Sequence, residues 1–61
     1  MRDPARIPVI LERLRVVWEK SPDMRLGQLV SIGLHWSEWG SDPFYIEDEF
    51  LMEGIEFGMK R

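Results

Sequence analysis

The chain contains no cysteine. A disulfide framework, a thiolate metal site and a cysteine nucleophile are all excluded on that ground. Long apolar runs are missing as well. The longest, Ile7 to Leu11, falls far short of the ~20 residues that a bilayer crossing needs. Met1-Arg2-Asp3-Pro4 places an acid and a proline where the apolar region of a secretory signal would begin, so a cytoplasmic protein is expected. No glycine-rich phosphate loop is present. Bases are missing from a long stretch: none lies between Arg25 and Lys60.

What remains is 61 residues, 44% apolar and 31% charged, with a net charge of −3. This is the composition of one globular domain over 1–61, too apolar for disorder. A core of that size leaves only about 3–5 kcal/mol of net stability. With disulfides excluded and a structural metal poorly supported, a partner subunit is the expected supplement.

Apolar spacing predicts an all-α, compact three-helix domain with helices at about 4–20, 24–39 and 47–60 and a short extended connector at 42–46. Asp3 can cap the first helix, and Pro4 suits its first position. Pro8 comes late enough to make the first turn irregular or to delay the start. Ile7, Ile10, Leu11, Leu14, Val17 and Trp18 form its core stripe, within roughly 120° of arc. Ala5, Val9 and Val16 lie opposite. Asp23 is the expected cap of the second helix and Gly40 its stop. Leu26, Leu29, Val30, Gly33 and Leu34 make its stripe, with Ile32, Trp36 and Trp39 on the shoulder. In the third helix Glu49, Glu53, Glu56 and Lys60 align on one face, and Phe50, Leu51, Met52, Ile55, Phe57 and Met59 cover the rest. Gly33, Gly54 and Gly58 fall inside apolar arcs. Because glycine costs ~1 kcal/mol in a helix interior, they predict a close approach of the second and third helices with tryptophans on the flanks. The aromatics of Phe44-Tyr45-Ile46 are expected to fold back over the core.

The second and third helices are apolar over nearly twice the arc that a small bundle needs. Either the connector and chain ends cover Ile32, Trp36, Trp39, Met52 and Met59, or a second buried surface exists, in which tryptophan and methionine are favoured residues. The charge is also uneven. Glu38, Asp42, Glu47, Asp48, Glu49, Glu53 and Glu56 crowd the second half, where the only bases are Lys60 and Arg61. This is either a solvated face or an acidic surface that docks a basic partner.

Catalytic chemistry finds little support. His35 and Glu38 share a helix edge but supply two ligands where a structural metal site needs four. Glu47, Asp48 and Glu49 are adjacent, so a helix points them apart and they form no acid–base pair. No serine has a nucleophile elbow. A helix-turn-helix around Ser21-Pro22-Asp23 lacks a basic recognition helix, and an acidic chain opposes phosphate binding. No enzyme activity, cofactor, direct nucleic-acid contact or membrane contact is expected.

The segments Arg2-Asp3-Pro4-Ala5-Arg6-Ile7, Pro22-Asp23-Met24-Arg25-Leu26-Gly27-Gln28-Leu29 and Asp42-Pro43-Phe44-Tyr45-Ile46-Glu47-Asp48 resemble landmarks of a group of short bacterial and phage proteins, with the pattern RDPxRI…PDxRLGQL…DPFYxED. The resemblance spans nearly the whole chain and brings no assigned activity. Pro8 and the stretch His35-Trp36-Ser37-Glu38-Trp39-Gly40 depart from the pattern.

The expectation is a protein–protein interaction protein that docks through Trp36, Trp39, Ile32, Glu38, Glu49, Glu53 and Glu56. One alternative is a phage or mobile-element inhibitor, anti-CRISPR-like, whose acids imitate nucleic acid towards a basic nucleic-acid-binding protein. The other is a structural homodimer with a regulatory role, its seam built on Trp36 and Trp39.

Overall fold

Both outer helices of the computed structural model, which describes residues 2–38 and 42–60, pack on the third. The helices are α1 (Arg6–Glu19), α2 (Leu26–Trp36) and α3 (Asp48–Met59), with no strand among the described residues. The α2–α3 interface is the larger, and α1 leans on α3. The Cα atoms span 34 × 23 × 17 Å, and 17 Å is about the depth of two packed helices.

The first turn of α1 is irregular, as Pro8 requires. Arg6 N–H donates to the Asp3 carbonyl and Ile7 N–H to the Pro4 carbonyl, each at 3.1 Å. These three-residue steps place Pro8 third in the helix, where its missing donor has no intrahelical partner to lose. The Asp3 carboxylate accepts from Ala5 N–H at 2.9 Å.

α2 starts later than Asp23. The Trp18 indole N–H donates to the Met24 carbonyl at 2.7 Å, committing that carbonyl outside the helix. The cap moves to Arg25, whose N–H donates to Gln28 Oε1 at 2.8 Å. This is half a capping box, because the Arg25 side chain has no acceptor to offer in return. α2 also ends earlier than expected. Ser37, a weak helix former, already has extended backbone (φ −76°, ψ 137°). The expected stop at Gly40 and the position of Trp39 lie outside the described residues.

The connector is a turn over 43–45, not an extended segment. The Asp42 carbonyl accepts from Tyr45 N–H at 3.2 Å and Ile46 N–H at 3.1 Å, and its carboxylate accepts from Phe44 N–H at 2.9 Å. Pinned this way, the turn sends Phe44 and Tyr45 outward, 83% and 76% exposed, so neither folds over the core. Ile46 is the residue of this segment that turns partly inward.

The core is small. Leu29, Met52 and Ile55 are buried, with Ile10, Leu14, Val17, Trp18, Met24, Leu51 and Met59 packed partly buried around them. No residue of α1 is fully buried. Ile7 and Leu11, expected in its core stripe, are 48% and 57% exposed, because α1 touches α3 along one edge only.

The glycines explain the α2–α3 crossing. A Cβ on Gly54 would overlap the Gly33 carbonyl oxygen and lie 3.1 Å from Gly33 Cα. A Cβ on Gly33 would sit 2.7 Å from both Ile55 Cγ1 and Leu51 Cδ1 and 2.9 Å from the Leu51 carbonyl oxygen. At Gly58 it would strike Ile32 Cγ2 and come within 2.6 Å of Trp36 Cδ1. Backbone meets backbone at the crossing, with Ile32 and Trp36 on its flank. Gly27 has open space around it.

Gly54→Ala should cost about 2–3 kcal/mol, because the clash is with backbone that cannot rotate away. Gly27→Ala should add about 0.5–1 kcal/mol from helix propensity alone. Thermal melts followed by circular dichroism check both, and equal effects at the two positions would contradict the assigned crossing.

Candidate functional site

The acids of α3 divide between two sides. Towards α1 they meet a row of arginines. Arg2 pairs with Glu47, Arg6 Nε lies 3.0 Å from Asp48 Oδ2, and Arg13 Nη1 donates to Glu49 at 2.9 Å. Arg13 also grips Glu56 with two parallel bonds, Nε to Oε2 at 3.0 Å and Nη2 to Oε1 at 2.7 Å. The pairs ascend together in both helices, so α1 and α3 run in the same direction. The two-pronged geometry is the stronger form of arginine–carboxylate contact. The hydrogen bond from Arg13 holds the Glu56 carboxyl below its ordinary value, against a smaller opposing effect of burial. The same bonds, donated to Glu56, raise the Arg13 guanidinium above its ordinary value.

On the other side, His35, Trp36, Ser37 and Glu38 of the α2 end face Phe50, Glu53, Gly54 and Phe57 of α3 across an open groove of about 530 Å³. The Trp36 and Phe57 rings meet edge to face with centroids 5.2 Å apart, and His35 meets Trp36 in the same manner at 5.0 Å. Among the described residues, Glu38 and Glu53 supply the charge of this groove and no Lys or Arg lines it. Aromatic faces beside carboxylates suit a cationic side chain, by cation–π attraction and by Coulomb attraction together.

Of the residues expected to dock a partner, Trp36 (37% exposed), Glu38 and Glu53 come together in this groove. Ile32 sits beside them, half-buried against Gly58. Glu49 and Glu56 are drawn to the α1 side by Arg13. Trp39 lies outside the described residues.

Two residues are more prominent than any of these. The Phe44 and Tyr45 rings stand edge to face with centroids 4.9 Å apart on the turn that Asp42 fixes. Large aromatics so far out of contact are unusual on a monomer surface. The sequence signal was the Asp-Pro pair just before them, which sets a tight turn and so projects the next side chains.

A second cleft, of about 410 Å³, lies between the ends of α1 and α3 and is lined by Val16, Val17, Met59, Lys20 and Lys60 among others. Its charges are mixed, since Glu12 and Glu56 line it too. No three His, Asp or Glu side chains converge to hold a metal ion among the described residues. No described helix is long and apolar enough to cross a membrane. No family model, curated protein or solved structure matches the chain.

Because Glu56 titrates below its ordinary 4.5 in the folded chain, the Arg13 pair stabilises fully above that value. Its contribution is lost as pH falls through the lowered value. Glu56 is 37% exposed, so solvent screening limits the contribution to about 1 kcal/mol or less. Arg13→Gln should therefore lower the melting temperature at pH 7 and flatten its decline below pH 4.5. Parallel acid profiles for the two proteins would remove the pair from the stability of the fold.

Proposed function

We propose that this chain is a non-enzymatic protein–protein interaction protein of bacterial or phage origin, working in the cytoplasm. The observation that carries the reading is the Phe44–Tyr45 pair, exposed at 83% and 76% on a turn stapled by Asp42. A rigid aromatic gives large contact area for little lost conformational freedom, which is how binding anchors work. Phe44 and Tyr45 enter an apolar pocket of the partner. Glu38 and Glu53, at the edge of the groove beside α2 and α3, take a cationic side chain from a basic partner.

This is narrower than an acidic imitation of nucleic acid. Such a mimic needs its carboxylates turned to the partner, whereas Glu47, Asp48, Glu49 and Glu56 are matched by Arg2, Arg6 and Arg13 within the chain. The ion pairs weigh against that alternative, and they leave Glu38 and Glu53 as the acids best placed to choose a partner.

The test is affinity capture with the immobilised protein at low and high salt, comparing wild type with Phe44→Ser/Tyr45→Ser and with Glu38→Lys/Glu53→Lys. Both pairs lie on the surface, so the melting temperature should stay within about 2–4 °C of wild type. The aromatic pair should lose the captured protein at either salt, and the charge reversal should lose it at low salt. Identical capture by all three proteins would refute the reading.

A further inference from the structure

α1 carries two overlapping apolar stripes, and the fold covers the second only in part, through Leu14 and Trp18. Ile10, Leu14 and Val17 turn to the core, beside the Arg13 pairs with α3. The second stripe is Ile7, Leu11, Leu14 and Trp18. Its steps of four, three and four residues repeat every 3.5 residues, which is the spacing of a coiled-coil seam. Ile7 and Leu11 are about half exposed. Leu11, Leu14 and Trp18 line a shallow apolar groove walled by Arg15 and Glu19. The seam runs about 16 Å along the helix, at 1.5 Å per residue.

We infer that this seam pairs with the same seam of a second copy, antiparallel, about a two-fold axis between Leu11 and Leu14. Three features of the chain select that occupant. The first is the shape of the stripe, which is nearly palindromic. In the antiparallel register Ile7 lies level with the partner's Trp18 and Leu11 with the partner's Leu14, so a smaller side chain meets the largest one. A parallel pair would set indole against indole.

The second is charge. Glu12, Arg15 and Glu19 form one row along the rim of the seam, and Arg15 bonds to both acids (Nε to Glu12 at 3.1 Å, Nη1 to Glu19 at 2.8 Å). In the antiparallel register Arg15 comes within two residues of the level of the partner's Glu12, about 3 Å along the axis. The two-fold axis makes that contact twice. The third is the deficit of core. Leu29, Met52 and Ile55 are the large apolar side chains buried among the described residues, and a chain this small needs a further source of burial. A two-fold interface supplies it with one self-complementary surface. This surface differs from the groove at Trp36 and from the Phe44–Tyr45 turn, so either assignment can fail without the other.

Sedimentation equilibrium from micromolar to millimolar protein tests the pairing. Wild type should rise towards twice 7.3 kDa. Leu11→Lys should hold at 7.3 kDa, with helical circular dichroism retained because Leu11 is exposed. Arg15→Glu tests the register without touching the apolar contact. It should weaken association at least tenfold, and Glu12→Arg combined with Arg15→Glu should restore it. Trp36→Lys should leave the dimer intact. A wild-type monomer at millimolar concentration would overturn the proposal. So would a dimer that withstands both Leu11→Lys and Arg15→Glu, or one that Trp36→Lys dissolves.

Discussion

The contact between Gly33 and Gly54 sets the geometry of the rest. With no Cβ on either side, the Gly33 carbonyl of α2 lies against the α3 backbone, closer than helices normally pack with side chains between them. That closeness draws Leu29, Met52 and Ile55 into one buried cluster. It also leaves no room for anything large at the crossing. Trp36 and Ile32 are displaced to the flank, over Gly58, and Trp36 meets Phe57 at the edge of the groove. The partly exposed tryptophan is thus a consequence of the tight crossing, and the groove beside it follows from the same cause.

α1 is held by a different kind of force. It has no fully buried residue, and its contact with α3 combines a modest apolar edge with the pairs of Arg2, Arg6 and Arg13. Exposed pairs contribute little each. Their larger effect is on register and direction, since Arg13 cannot grip Glu56 with two bonds in a shifted alignment. The uneven charge of the sequence acquires a structural reason here. Bases of the first half and acids of the second half lie on facing helices. A charge imbalance along the chain becomes a charge match across a seam.

The three helices, and the close approach that the buried glycines required, could be read from periodicity and from the cost of glycine in a helix. Pro8 likewise announced its irregular turn. The misreadings have local causes. Asp23 is a good cap by residue type, but the Trp18 indole claims the Met24 carbonyl, and a tertiary hydrogen bond of that kind leaves no mark on periodicity. Ile7 and Leu11 satisfy the spacing of a core stripe. Spacing names a face and not what covers it, and α3 reaches only the neighbouring edge. Hydrophobicity alone points Phe44 and Tyr45 to the core, whereas the Asp42 turn decides their direction. For the docking surface, Trp36, Glu38 and Glu53 do meet. Glu49 and Glu56 stand on the same helical face by spacing but are claimed by Arg13, a partner 36 and 43 residues away.

The glycine crossing also constrains how such a chain can change over generations. At Gly54 the atoms that forbid a larger residue belong to the backbone of Gly33. No second substitution can trim a backbone carbonyl, so an alanine at Gly54 has no compensating partner across the crossing. Gly54 should stay fixed rather than covary. Gly58 is different, because the atoms against it belong to the side chains of Ile32 and Trp36. A larger residue there can be accommodated if either neighbour shrinks, and that trio is free to drift together. Two glycines four residues apart on one helix therefore evolve under different rules, one closed to exchange and the other negotiable.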